Sequence, residues 1–92
     1  MPIDAPGSAE SRLNPDILWR VVGEEALLLD TVSGNYFSLD PIATEIWVKL
    51  TSGEPSERIA TALSAKYSIG EDRARNDIDE LVAEMRDADI WR

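Results

Sequence analysis

The sequence predicts an α+β domain in which a three-stranded antiparallel meander is followed by three helices. Three observations lead there. Residues 17–39 are dominated by aliphatic, aromatic and β-branched side chains and are interrupted twice by short polar links, one holding Gly23 and the other Gly34. Beyond Asp40-Pro41 the apolar positions recur three and four residues apart up to Met85. With 92 residues in all, the chain has material for one core, so strands and helices must share it.

Taken in order, residues 1–16 contain Pro2, Pro6, Gly7, Ser8, Ser11 and Pro15 and too few apolar side chains to show a period. They are expected to form a disordered arm, leaving 17–92 as the domain. The first strand is Ile17-Leu18-Trp19-Arg20-Val21-Val22. Gly23-Glu24 makes a tight turn, and Ala26-Leu27-Leu28-Leu29-Asp30 is the second strand. After Thr31-Val32-Ser33-Gly34, the third strand is Asn35-Tyr36-Phe37-Ser38-Leu39, with Phe37 and Leu39 on one face and Tyr36 and Ser38 on the other. Links this short permit only antiparallel neighbours.

Asp40-Pro41 then reads as an N-cap followed by proline at the first helical position, where its missing N–H costs nothing. Ile42, Ala43, Ile46, Trp47 and Leu50 mark the buried face of this first helix, and Gly53 ends it. Pro55 opens the second helix, with Ile59, Ala60, Leu63 and Tyr67 on one stripe, broken by Ser68-Ile69-Gly70. The third starts near Glu71 and carries Ala74, Ile78, Leu81, Val82 and Met85; Glu71 and Asp72 suit the positive end of its dipole. The helices are expected to cover one face of the sheet, because three strands alone are not stable in water.

Composition excludes several function classes. Without cysteine or histidine the chain forms no disulfide, no Cys/His zinc site and no Cys–His or Ser–His nucleophile pair. Asp77, Asp79, Glu80, Glu84, Asp87 and Asp89 resemble acid catalysts or metal ligands only until they are placed on a helix, where they form an ordinary solvated face. No glycine-rich phosphate loop exists, and no cofactor is expected. Eighteen acidic against nine basic residues, a formal charge of −9, oppose binding to a phosphate backbone. No apolar run approaches the ~20 residues needed to span a bilayer, and Met1-Pro2-Ile3-Asp4 is unlike a signal peptide, so neither nucleic acid nor membrane is an expected partner and a cytoplasmic location is.

What remains is recognition. A meander leaves two edges, and the third strand has neither proline nor charge from Asn35 to Leu39 to discourage an incoming extended chain. Trp47 belongs to the core stripe, whereas Trp19 could face either way.

The assembled pattern resembles the PqqD-like family, the recognition elements that bind the leader segment of ribosomally made precursor peptides. The residues that carry the likeness are Gly34-x-Tyr36-x-x-Leu39-Asp40, Ala43-x-x-Ile46-Trp47-x-x-Leu50, Gly53, Ile59 with Leu63 and Tyr67, and Ala74-x-x-Asp77-Ile78-x-x-Leu81. The joint order and spacing, over about residues 17–92, is more telling than any one motif. Asp40, Pro55 and Met85 depart from the family's usual Asn, Ser or Thr, and Leu, which leaves packing intact. The resemblance implies a winged helix-turn-helix-like fold and a leader peptide added as a strand beside the third strand, in the groove toward the third helix. It implies a peptide site at Asn35, Tyr36, Phe37, Ser38, Leu39, Arg73, Asp77, Ile78, Leu81 and Glu84, with the opposite flank of that helix, near Arg75 and Val82, as the alternative. It further implies a non-catalytic accessory protein, most like the free-standing element of lasso-peptide pathways that serves a leader peptidase. A partner of a radical SAM enzyme is the close alternative, and a winged-helix DNA-binding regulator is an alternative from another class, disfavoured by the acidic helices.

Overall fold

The computed structural model describes residues 13–92. Strands β1 (Ile17–Val22), β2 (Glu25–Asp30) and β3 (Tyr36–Leu39) form one antiparallel sheet in the order β1-β2-β3, followed by helices α1 (Pro41–Thr51), α2 (Ser56–Tyr67) and α3 (Glu71–Asp87). The α+β architecture is the one the sequence predicts.

Local chemistry accounts for the joints. Gly23 occupies the first central position of the β1–β2 turn with a φ of 65°, which a type II′ hairpin requires and other residues resist. The β2–β3 link is closed by Asp30, whose carboxylate accepts from Val32 N–H (2.9 Å) and Ser33 N–H (3.2 Å). These backbone donors hold the Asp30 carboxyl below the usual carboxylate range. Gly34, at φ 82°, donates its N–H to the Asp30 carbonyl and turns the chain into β3. Asn35 stays in this link, its N–H donated to Ser33 Oγ at 3.2 Å. Asp40 caps α1 by accepting from Ala43 N–H at 2.8 Å, and Pro41 fills the first turn.

Strand parity then builds the core. Ala26, Leu28 and Leu39 point from the sheet toward the helices and meet Ile46, Trp47, Ile59, Leu63 and Ile78. Trp47 is fully buried, with Trp19 and Trp91 edge-on at ring-centroid distances of 5.8 and 5.9 Å. This settles the facing of Trp19 toward the helices. Thr44, buried within the apolar stripe of α1, accepts from Ala26 N–H (2.8 Å) and donates to the Leu39 carbonyl (3.1 Å). Its hydroxyl thereby bridges β2 and β3 where their ladder ends and ties α1 to both. On the flank of α1, Glu45 accepts from Lys66 Nζ at 2.6 Å and Tyr67 Oη at 3.0 Å. Partial burial pushes the Glu45 carboxyl up, but the two donors outweigh it and leave it below its ordinary value.

The packed body begins earlier than residue 17, where the sequence reading sets its start. Leu13 pairs with Trp91 in an isolated antiparallel bridge, and Asn14 is buried. Asn14 N–H donates to the Ile90 carbonyl (2.9 Å), its Nδ2 to the Asp89 carbonyl (2.8 Å), and its Oδ1 accepts from Asp16 N–H (2.9 Å). A buried asparagine with all three groups engaged is part of the fold, not of a tail; the rest of the expected arm, residues 1–12, lies outside the described residues. The polar, proline-containing composition of residues 1–12 gives the expectation that their removal leaves the thermal midpoint unchanged. Asn14→Ala should lower stability by about 1–3 kcal/mol, since it removes both side-chain hydrogen bonds of a buried residue. Thermal melts of both variants check this.

Candidate functional site

Because β2 is central, β3 has a strand on one side only among the described residues. Which of its backbone groups are free follows from the register. Asp30 N–H donates to the Asn35 carbonyl at 2.8 Å, so bonded positions alternate from there, and Phe37 and Leu39 face β2 opposite Leu28 and Ala26. The N–H and C=O of Tyr36 and Ser38 consequently point away from the sheet. The strand residues Tyr36-Phe37-Ser38-Leu39 include no proline and no charge to block pairing.

Beside this edge runs a groove of about 470 Å³ lined by Phe37, Ser38 and Leu39 on one wall and by Glu84, Met85, Asp87 and Ala88 on the other. Its floor is apolar, its rim on the α3 side acidic. The geometry thus offers backbone donors and acceptors along one wall and an apolar trough next to them, which suits an extended peptide.

The expected site residues divide into three groups. Phe37, Ser38, Leu39 and Glu84 line this groove. Asp77 and Leu81, with Glu84 again, line a second depression between α1 and α3. The other four stand apart. Asn35 is exposed in the link before β3, and Tyr36 projects from the outer face of the sheet, 74% exposed, beside Leu18, Leu27 and Leu29. Ile78 is only 1% exposed and belongs to the core, so a ligand in the groove does not reach its side chain. Arg73 is exposed in the first turns of α3; from there to Met85 the helix rises about 18 Å, too far for a shared groove. Arg75 and Val82, on the opposite flank, line neither depression.

Met85, Asp87 and Ala88 were not anticipated. A signal existed: Leu81, Met85 and Ala88 continue the buried stripe at helical spacing, and a residue as small as Ala88 at its end leaves room against β3. Glu84→Lys is therefore expected to change affinity for a peptide in the groove, and Arg73→Glu to leave it at the wild-type value. Contacts at such a rim are worth about 0.2–1 kcal/mol each, so charge reversal shows what alanine would hide. Fluorescence anisotropy on both variants makes the comparison.

Among the described residues no helix is long and apolar enough to cross a membrane, and no group of three or more carboxylates could hold a metal ion.

Two solved structures share the fold. One, described as TbiB1 in complex with the TbiA(beta) leader peptide, is 23% identical, with 88% of this chain and 94% of that chain aligned at a TM-score of 0.81. The other, described as lasso peptide synthetase B1 complexed with the leader peptide, is 28% identical, with 88% and 95% aligned at a TM-score of 0.83. A search of curated proteins returns no match. The family model for coenzyme PQQ synthesis protein D (PqqD) matches residues 25–90, the second and third strands and all three helices with the segment that follows them, and the chain belongs to that family.

Proposed function

We propose that this protein is a non-catalytic recognition element of lasso-peptide biosynthesis that captures the leader segment of a precursor peptide as a fourth strand beside β3 and delivers it to a leader peptidase. The observation that carries the reading is the unpaired β3 edge with an apolar groove alongside, on a fold shared with two leader-peptide complexes. Tyr36 and Ser38 together present two N–H and two C=O groups, and each bond formed there adds about 0.5–1.5 kcal/mol net. Alternate leader side chains would enter the trough between Phe37, Leu39, Met85 and Ala88, so the backbone supplies affinity and the trough selects sequence. A lasso peptidase is favoured over a radical SAM enzyme as the receiving partner because one of the two similar complexes, at 28% identity, is described as a lasso peptide synthetase B1 with its leader peptide. A DNA-binding regulator is disfavoured by the net charge of −9.

The test uses the lasso precursor and leader peptidase that the reading requires in the neighbouring genes, and a neighbourhood that encodes neither would itself contradict it. The protein should bind a labelled leader, leave the precursor's mass unchanged when incubated with it alone, and accelerate leader removal when the peptidase is added. Cleavage by the isolated protein, or a peptidase indifferent to its presence, would contradict the reading.

A further inference from the structure

The second depression, where α1 and α3 meet, has a character of its own. It encloses about 220 Å³ over an apolar floor of Ile42, Ala43, Ile46 and Leu81, and its rim carries Asp40, Asp77, Glu80 and Glu84. Among the described residues these four carboxylates belong to no salt bridge, whereas Glu45, Glu54, Asp72 and Asp89 each have a basic partner. Among the described residues no lysine or arginine lines the depression. Glu80 and Glu84 are like charges four residues apart on one helix face, an arrangement that destabilises a helix.

Asp40 is engaged as the α1 cap, and from the apolar groove and the charge of Asp77, Glu80 and Glu84 we infer that the depression receives a lysine or arginine side chain of the bound peptide. The inference rests on the proposed strand addition at β3. The shape narrows the choice of cation: the carboxylates are too widely spread to chelate a metal ion, but a long basic side chain can lay its methylene stem along Ile42, Ala43, Ile46 and Leu81 and hold its charged head at the rim. Position decides where the residue falls in the ligand. Asp40 directly follows Leu39, the last residue of β3, and Glu84 lines both depressions, so the two adjoin. A strand that leaves β3 at Leu39 enters the depression next. The ligand is therefore a peptide whose apolar, β-paired stretch is flanked, on the side that passes Leu39, by one basic residue.

The experiment measures anisotropy with the same labelled leader as the test of the proposed function, using wild type, Ser38→Pro, Asp77→Lys and Glu80→Lys, all checked by thermal melt. Neither Asp77 nor Glu80 lines the β3 groove, so these two report on the depression alone. Each reversal is expected to weaken binding about fivefold or more, with a loss that shrinks as salt is raised. Replacing each leader lysine or arginine singly by norleucine should reveal one position whose neutralisation weakens wild type by a similar factor and has no effect on Glu80→Lys. Wild-type affinity in both reversals, or a leader in which no basic residue matters, would overturn the inference while leaving strand addition intact. Undiminished binding by folded Ser38→Pro would instead overturn strand addition, and an absence of binding by wild type would overturn both.

Discussion

Ser38→Pro is expected to abolish leader binding, by a hundredfold or more, while the variant still folds. The Ser38 N–H points away from β2, so proline removes no bond from the sheet and its ring projects into the space an added strand must occupy. Two effects then combine: a donor is lost, at about 1 kcal/mol, and the ring holds the incoming backbone beyond hydrogen-bond distance along its neighbours. The side chain lost is a solvent-exposed serine on the outer face, which contributes little to packing. Tyr36→Pro acts at the other outward position but also deletes an exposed aromatic ring, so Ser38 is the cleaner probe. Phe37→Pro is the matched control. Its N–H faces Leu28 in the β2–β3 ladder, and the variant should lose thermal stability before any binding can be measured. Anisotropy with the labelled leader, alongside melts of all three variants, separates the two kinds of loss.

The second large effect is on stability. Trp47→Ala should cost about 3–5 kcal/mol, a large share of the 5–15 kcal/mol that a small domain has to lose. Trp47 is wholly buried and joins three separate parts of the chain: β1 through Trp19, α1 on which it sits, and the C-terminal segment through Trp91. Removing it opens a cavity at that junction and abolishes both edge-on aromatic contacts, each worth about 0.5–1.5 kcal/mol beyond area burial. Its Nε1–H is buried with no acceptor, so the native indole already bears a desolvation cost. Trp47→Phe, which discards that donor and keeps an aromatic ring, should consequently lose much less than alanine. Chemical denaturation of the two variants gives the comparison directly.

Most of the fold was legible because its determinants are local. Alternation along Tyr36-Phe37-Ser38-Leu39, the turn glycines Gly23 and Gly34, and the Asp40-Pro41 helix start each act within a few residues, and the structure uses each as its chemistry dictates. The free edge was legible too, since short links fix the order of a meander and put its third strand outermost. The far wall of the groove was not. Which stretch of α3 faces β3 depends on how that helix crosses the sheet, and that angle is set by packing against α1 and α2 rather than by any periodicity within α3. A stripe read along the whole helix thus drew in Arg73 at one end and the buried Ile78 in the middle, while the groove lies against Glu84, Met85, Asp87 and Ala88. Asn14 illustrates the same limit. Its side chain bonds the Asp89 carbonyl, 75 residues away, and nothing in a polar, proline-containing neighbourhood signals such a partner.

The central claim, strand addition at β3, is tested most directly by amide hydrogen exchange followed by NMR with and without saturating leader. In the free protein the Tyr36 and Ser38 amides have no strand among the described residues to donate to and should exchange fast, whereas Phe37 and Leu39 face β2. On adding leader, Tyr36 and Ser38 should become protected. The outward amides of the opposite edge, Trp19 and Val21 by the register of β1 on β2, should not change. Protection appearing at Trp19 and Val21 with Tyr36 and Ser38 unchanged, or leader binding that protects neither edge, would contradict the account.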